Sequence, residues 1–308
     1  MDACRGQGYI GIMQTKPDIL CIGSVLWDII GRTDLDMMPG NDKPGRILRR
    51  PGGVALNIAM MIRRFGVAPA LVSVVGDDAA GRELRACCQA MGLLCDALLI
   101  AADLPTDQYM AIEAQGALVA ALADAHSLEA AGARILAPLA DGRLGSAAAP
   151  WAGLVALDGN LTEGLLAEIA QSPLFVLADL RIAPASPGKA HRLRPLLCHP
   201  NATLYVNREE AGILTDTRPA NAAAAAQALI AAGARRVLVT AGAEMAVQAT
   251  AAGQISAIPP PVEARRITGA GDTFMAAHIA AERAGAAPQV ALERAVAAAA
   301  AYVSGVDP

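Results

Sequence analysis

Short apolar segments that end in glycine or a polar residue alternate with helical segments along most of this 308-residue chain, and that alternation leaves few folds open. Residues 18–23 (DILCIG) are nearly all apolar and stop at a glycine, as expected of a strand buried on both faces. Residues 54–65 then follow a helical period, opened by Pro51, Gly52 and Gly53 and stopped by Gly66. Residues 70–75, 153–158, 174–180, 203–207 and 236–240 read as further strands. Between them, residues 81–91, 185–197 and 221–232 read as helices, others begin near Thr162 and at Arg208, and two alanine-rich helices close the chain. Strand and helix alternating over this length predict a parallel sheet covered on both faces.

Two segments break the alternation. Residues 29–50 are polar and punctuated by Gly and Pro, and residues 104–125 read as a β-hairpin with Gly116 at its turn. Together they form an expected small β-lid on a single domain spanning residues 18–308, after a loose extension at 1–17. That extension lacks the pattern of a secretory signal.

Composition narrows the function. Hydrophobic residues make up 54% of the chain, enough for one large core. The net charge is −4 with no basic stripe, and only 3% of residues are aromatic, so a nucleic-acid polymer is not an expected partner. Six cysteines, at 4, 21, 87, 88, 95 and 198, form no CxxC pair and no zinc-like spacing, which predicts reduced thiols and a cytoplasmic setting. No stretch reads as a membrane span.

The strongest chemical signal is Thr268-Gly269-Ala270-Gly271-Asp272-Thr273-Phe274, small residues running into a helix over 272–283. Main-chain N–H groups at a helix start point one way and favour an anion, and glycines let phosphate oxygens approach. This suits a transferring phosphoryl group, with Asp272 beside it to accept a hydroxyl proton. At a helix N-terminus Asp272 is expected to have a lowered pKa; the alternative is that Asp272 or Thr268 merely caps the helix. No Walker A sequence accompanies the motif. Gly52 and Gly53 allow close main-chain approach before a helix carrying Asn57, whose amide suits sugar hydroxyls, or they make a plain turn beside a surface Asn. Asp28 lies just beyond the expected first strand, where a carboxylate can clamp two vicinal hydroxyls; Asp158 and Asn160 occupy the equivalent place after another strand. Asn207 and Glu210 stand at a further strand-to-helix junction, where they either hold Mg²⁺ through water near ATP or form a charged helix start.

The order of GG-x-x-x-N, N-x-x-E and T-G-A-G-D, each at a strand-to-helix junction, resembles the PfkB/ribokinase family of carbohydrate and nucleoside kinases over nearly the whole chain from Ile19. The resemblance implies a ribokinase-like three-layer α/β sandwich with a mostly parallel central sheet and a β-lid. It also implies an ATP- and Mg²⁺-dependent kinase of a small nucleoside or sugar. It assigns Asp28, Gly53 and Asn57 to the phosphate acceptor, with Gly52 beside them. Glu210 falls to Mg²⁺, and Asn207, Thr240, Gly242 and Thr268 to the nucleotide. Gly269, Ala270 and Gly271 become the anion hole, and Asp272 the base. Exposed lid strands in this family pair between subunits, which implies a homodimer.

A narrower resemblance, to pseudouridine kinases, rests on three segments. They are Pro105-Thr106 through Tyr109-Met110-Ala111-Ile112 to Ala123-Asp124, then Leu157-Asp158-Gly159-Asn160-Leu161, then residues 183–190. It adds Thr106, Asp158, Asn160 and Lys189 to the acceptor side and implies the 5′-hydroxyl of pseudouridine as acceptor. The chain departs from that pattern with Ala125 in place of Met and Ala183 in place of Asp. Alternatives are a kinase of another nucleoside or a furanose, or a catalytically idle nucleoside-binding regulator. A dinucleotide-dependent oxidoreductase is disfavoured, since no G-x-G-x-x-G follows the first strand. Many ribokinase-like enzymes bind a monovalent cation through an acidic residue two before the motif threonine. Here that residue is Arg266, whose guanidinium would repel such an ion and stand in for its charge.

Overall fold

The computed structural model describes residues 16–306 except Pro39 and Gly116, so most of the expected N-terminal extension and the turn glycine of the expected hairpin lie outside the described residues. The strands in the first half are β1 (Ile19–Ile22), β2 (Leu26–Thr33), β3 (Arg46–Gly52), β4 (Pro69–Val72), β5 (Val74–Gly76), β6 (Leu99–Ala101), β7 (Gln108–Ala114) and β8 (Ala117–Asp124). Those that follow are β9 (Leu154–Asp158), β10 (Asp179–Ala183), β11 (Ala202–Asn207), β12 (Arg236–Thr240), β13 (Ala246–Thr250) and β14 (Gly253–Ala257).

Eight strands form the central sheet in the order β14-β13-β12-β11-β10-β9-β1-β4. The run from β4 to β12 is parallel, and β13 and β14 add an antiparallel edge. Successive side chains of a strand face opposite ways, so each strand supplies two cores. Leu20, Ile22, Leu157, Leu180 and Leu204 join one apolar cluster, and Ile19, Cys21, Ala156, Tyr205 and Leu238 join the other. Helices cover both: α5 (Glu163–Gln171) and α7 (Ala222–Ala231) on the first face, α1 (Val54–Arg64), α8 (Ala270–Arg283) and α9 (Pro288–Val303) on the second. The remaining helices are α2 (Ala79–Ala90), the short α3 (Ser127–Ala131) and α4 (Ala137–Ala140), and α6 (Arg208–Thr215). This is the layered α/β sandwich expected from the alternation.

The segments that broke the alternation do come together. Strands β3, β2, β7 and β8 form a separate four-stranded sheet in that order. It is moored to α2 by Trp27, whose indole N–H donates to the Ala80 carbonyl at 2.9 Å. The Arg49 guanidinium stacks 3.8 Å over the same ring and pairs with Glu83.

Local expectations failed where proline intervenes. Residues 174–180 are not a strand: Pro173–Phe175 make a 3₁₀ turn capped by Ser172, and β10 starts later, at Asp179. The expected basic helix at 185–197 is a 3₁₀ helix, Pro187–Leu196, containing Pro195, which has no N–H for an α-helical ladder. Among the described residues no helix is long and apolar enough to cross a membrane.

Candidate active site

The carboxyl ends of the central strands, the first turns of α1, α6 and α8, and the near face of the small sheet meet in one cleft. Its deepest group is Asp158, the last residue of β9 and fully buried. One carboxylate oxygen accepts from the Ser24 N–H (2.8 Å), the Ser24 hydroxyl (2.9 Å) and the Ala55 N–H (2.9 Å). The other accepts from the Asn160 N–H at 2.8 Å. Burial pushes its carboxyl above the ordinary range, and these donors oppose the shift. Expected to touch the acceptor, Asp158 is fully buried here and spends both carboxylate oxygens on these donors. Asn160 and Lys189 extend the same network, with Asn160 donating to the Ser24 hydroxyl at 2.8 Å and Lys189 donating to the Asn160 side-chain oxygen at 2.6 Å.

Asp28 is displaced from its expected place at the exit of the first strand. It lies within β2, in the small sheet, directly across from Arg50 on β3 and Tyr109 on β7. Residues paired across strands share a face, so these three form a row. Burial raises the Asp28 carboxyl, and Arg50, 3.8 Å away, opposes the shift. The paired glycines serve this arrangement first. A Cβ on Gly52 would lie 2.3 Å from the Asp28 carboxyl, and one on Gly53 (φ 97°) would lie 2.5 Å from the Ser24 carbonyl oxygen. Thr106 is not brought to the cleft surface. It is 2% exposed, its hydroxyl donates to Asp78 at 2.7 Å, and it accepts from the Gly76 N–H at 3.0 Å.

Asp272 sits in the first turn of α8, behind the N-cap Gly269. Asn57 on α1 donates to its carboxylate at 3.1 Å, a partner that sequence had assigned to the acceptor. The expected low pKa of a helix-start carboxylate is overturned. Burial pushes Asp272 up to about 7, and the carboxyls of Asp158, Glu210 and Asp28 push the same way against the Asn57 contact. Enclosure and like charge outweigh the helix end. Gly269 has φ 92°, and a Cβ there would come 2.6 Å from the Tyr302 hydroxyl, whereas a Cβ on Gly271 would meet nothing within 4 Å. The loop is therefore backed on one side and open on the other, with the first N–H groups of a 14-residue helix facing outward.

The backing was not legible in sequence. Tyr302 on α9 donates to the Thr268 carbonyl at 2.9 Å. Arg266 stacks its guanidinium 3.8 Å over the Tyr302 ring and donates to the carbonyls of Tyr302 (2.7 Å) and Val306 (3.3 Å). On the other flank, Asn207 caps α6 and forms a reciprocal capping box with Glu210. Burial raises the Glu210 carboxyl to about 7, with Glu209 adding to it. Thr240 ends β12 in register with Asn207, and Gly242 (φ 64°) follows in the exposed turn. Among the described residues no cluster of three metal-ligating side chains occurs. Glu210 keeps one oxygen outside the capping contact, which suits an Mg²⁺ ion held mainly by phosphate and water.

The sequence profile of the pfkB family carbohydrate kinases matches residues 16–307. The chain belongs to the pfkB family. Pseudouridine kinase from Escherichia coli (strain K12) is 28% identical over 274 residues, covering 86% of this chain and 83% of that protein. Among solved structures, a carbohydrate kinase from Agrobacterium tumefaciens superposes with a TM-score of 0.76 at 27% identity, over 92% of this chain and 90% of that one. Arabidopsis thaliana ribokinase, solved with ribose and ATP, superposes with a TM-score of 0.72 at 19% identity, over 93% and 92% of the two chains. The fold is thus ribokinase-like, and the chain is a pfkB-type phosphotransferase with an alcohol group as acceptor.

The raised carboxyls carry a stability consequence. The folded state holds the Asp272 and Glu210 protons up to about pH 7, whereas the unfolded chain releases them near 4. Stability of the ligand-free protein is therefore greatest at low pH within this window and falls as pH rises towards 7. Asp272→Asn should raise the Tm at pH 8 by about 2 °C or more, and the gain should vanish at pH 4. Thermal melts of both proteins without ATP or Mg²⁺ check this; a lower Tm for the variant at pH 8 would contradict it.

Proposed function

We propose that this chain transfers the γ-phosphoryl group of ATP to the 5′-hydroxyl of pseudouridine. The observation that carries the kinase reading is Asp272, held by Asn57 at the first turn of α8, where the glycine loop opens outward. The acceptor assignment is supported by likeness to the Escherichia coli pseudouridine kinase along most of both chains. It also has a chemical rationale: a C-glycosidic bond resists ordinary phosphorolysis, so a dedicated kinase is sensible.

In this reading Asp28 clamps ribose hydroxyls from the small sheet, and Asn160 and Lys189 complete that side. The acceptor hydroxyl points at Asp272 and the γ-phosphate lies over residues 269–271. The bond from the γ-phosphorus to the ADP oxygen breaks as the bond to the acceptor oxygen forms, and the hydroxyl proton passes to Asp272. With a pKa near 7, Asp272 is a competent base at neutral pH. Asn207, Thr240, Gly242 and Thr268 line the nucleotide end. Glu210 would hold Mg²⁺ through its free oxygen, and the ion would supply positive charge for phosphate oxygens beside these carboxyls.

A second copy of the chain completes the proposed assembly. Strand β8 is exposed along its length and presents Leu118, Val119 and Leu122 at an unpaired sheet edge, the kind of surface a strand–strand homodimer covers. Sedimentation should show a dimer that Leu118→Lys with Leu122→Lys reduces to monomer; a monomeric parent protein would contradict it.

Coupled turnover assays across pseudouridine, uridine, adenosine, ribose and fructose test the acceptor, with pseudouridine expected to give the highest kcat/KM. A sugar or another nucleoside in first place would overturn it. Asp28→Ala should raise the acceptor KM strongly while leaving the ATP KM unchanged. Asp272→Asn should lower kcat by ~100-fold or more with acceptor affinity kept. A variant retaining above about a tenth of kcat would remove Asp272 from the base role.

Arg266 serves as a built-in cation beside the loop. A monovalent ion about 4 Å from it would meet a repulsion of order 4 kcal/mol at an effective dielectric of ~20. Turnover should therefore be the same in K⁺, Na⁺ or a bulky organic cation at constant ionic strength, and several-fold activation by K⁺ alone would overturn the assignment.

A further inference from the structure

Between α8 and the sheet, below the cleft, lies a polar network for which the transfer chemistry has no direct use. Tyr205 on β11, His278 on α8, Gln248 on β13 and Arg181 on β10 are 5%, 0%, 6% and 6% exposed. Arg181 donates to the Tyr205 hydroxyl at 3.0 Å, and that hydroxyl lies 2.9 Å from His278 Nδ1. His278 Nε2 lies 3.0 Å from the Gln248 side-chain oxygen. A carbonyl oxygen only accepts, so Nε2 carries the proton and Nδ1 accepts from Tyr205. The hydroxyl takes one bond and gives one, and no member of the chain is left unpaired. Burial holds the His278 imidazolium form well below its usual range, consistent with a neutral ring. One turn further, Glu282 binds Arg181 at 2.5 Å and Arg236 on β12 at 2.7 Å.

Such a network brings little net stability, because apolar residues of similar shape usually do as well. What it supplies is register. Tyr205 lies edge-on between Phe274 and His278, with ring centroids 6.4 and 5.6 Å away. A helix gripped at His278 and again at Glu282 can neither slide nor roll. Six residues before His278, about 9 Å up the helix, is Asp272. Two residues beyond Tyr205, on the same face of β11, is Asn207, which positions Glu210.

We propose that Tyr205 and His278 are positioning residues for phosphoryl transfer: their buried hydrogen bond sets α8, and with it Asp272 and the glycine loop, in register with the strand that ends in Asn207 and Glu210. The proposal rests on the kinase reading above. Neither side chain reaches the acceptor clamp at Asp28, so loss of the bond disturbs the reacting geometry and leaves ground-state binding in place.

Kinetics of Tyr205→Phe and of the double variant Tyr205→Phe/His278→Leu, with the best acceptor of the panel, test this. Tyr205→Phe keeps the ring and removes the bond; its kcat should fall about tenfold while both KM values stay within about twofold. In the double variant the unpaired His278 Nδ1 is gone as well, and only the Gln248 oxygen and one Arg181 N–H, which keeps Glu282, are left short of a partner, so the Tm should not fall below that of the single variant. Its kcat should nevertheless remain low and no worse than that of the single variant, as expected when both changes remove one interaction. A kcat that recovers together with the Tm would make the bond merely structural and overturn the proposal. So would a Tyr205→Phe kcat within twofold of wild type, or a rise in KM alone. Wild-type protein without ATP-dependent turnover on any acceptor would overturn the kinase reading itself, an outcome distinct from variants that match an active parent.

Discussion

Everything around the cleft hangs on one buried carboxylate. Asp158 joins the end of β9 to the Gly23–Ser24 turn, the first turn of α1 and the loop at Asn160. The Ser24 turn and the first turn of α1 lie more than a hundred residues from Asp158 and would otherwise be free to separate from it. A charged acceptor buried this completely has to be satisfied, and each missing donor costs of order 1–3 kcal/mol. The turn accordingly carries Gly23, where a Cβ would fall 2.3 Å from the Asp158 carboxyl. Strand β2 departs from that turn, so the same carboxylate determines where the small sheet begins and hence where Asp28 can reach.

Around this anchor the cleft accumulates negative charge. Burial raises the Asp272 carboxyl first, and Asp158, Glu210 and Asp28 all push it the same way. The outward N–H groups of α8 offer partial positive charge, and Arg266 adds a full one behind the loop through Tyr302. Any charged ligand that enters beside these carboxyls shifts the proton affinity of Asp272, so binding and protonation there are linked.

The two flanks of the cleft are supported differently. The small sheet is held to the body by the stacked and hydrogen-bonded Trp27 and by the glycines that admit Asp28. Its outer strands β3 and β8 are largely exposed. The α8 flank is packed between α1, α9 and the sheet and tied by the buried Tyr205–His278 contact. In the proposed reading acceptor selection falls to the small sheet and group transfer to the buried α8 flank, where positioning demands are greatest.

The sequence by itself determined the layered fold and the glycine loop that opens α8. Both follow from local chemistry: period-two and helical apolar patterns specify strands and helices, and Gly269 and Gly271 before an Asp specify a helix start open to an anion. It also marked the interruptions that become the small sheet, although proline displaced the boundaries near 173 and 187. The tertiary structure alone decided what each polar residue does. Asp158 and Thr106, written in loops that suggest ligand contact, are withdrawn into the body because donors from remote segments close around them. Asn57 turns to Asp272 because α1 packs on α8. The pKa of Asp272 runs opposite to the helix-end expectation because burial, and after it three carboxyls from other elements, raise it. Hydrogen bonding and charge act through space, and a sequence records only neighbours along the chain.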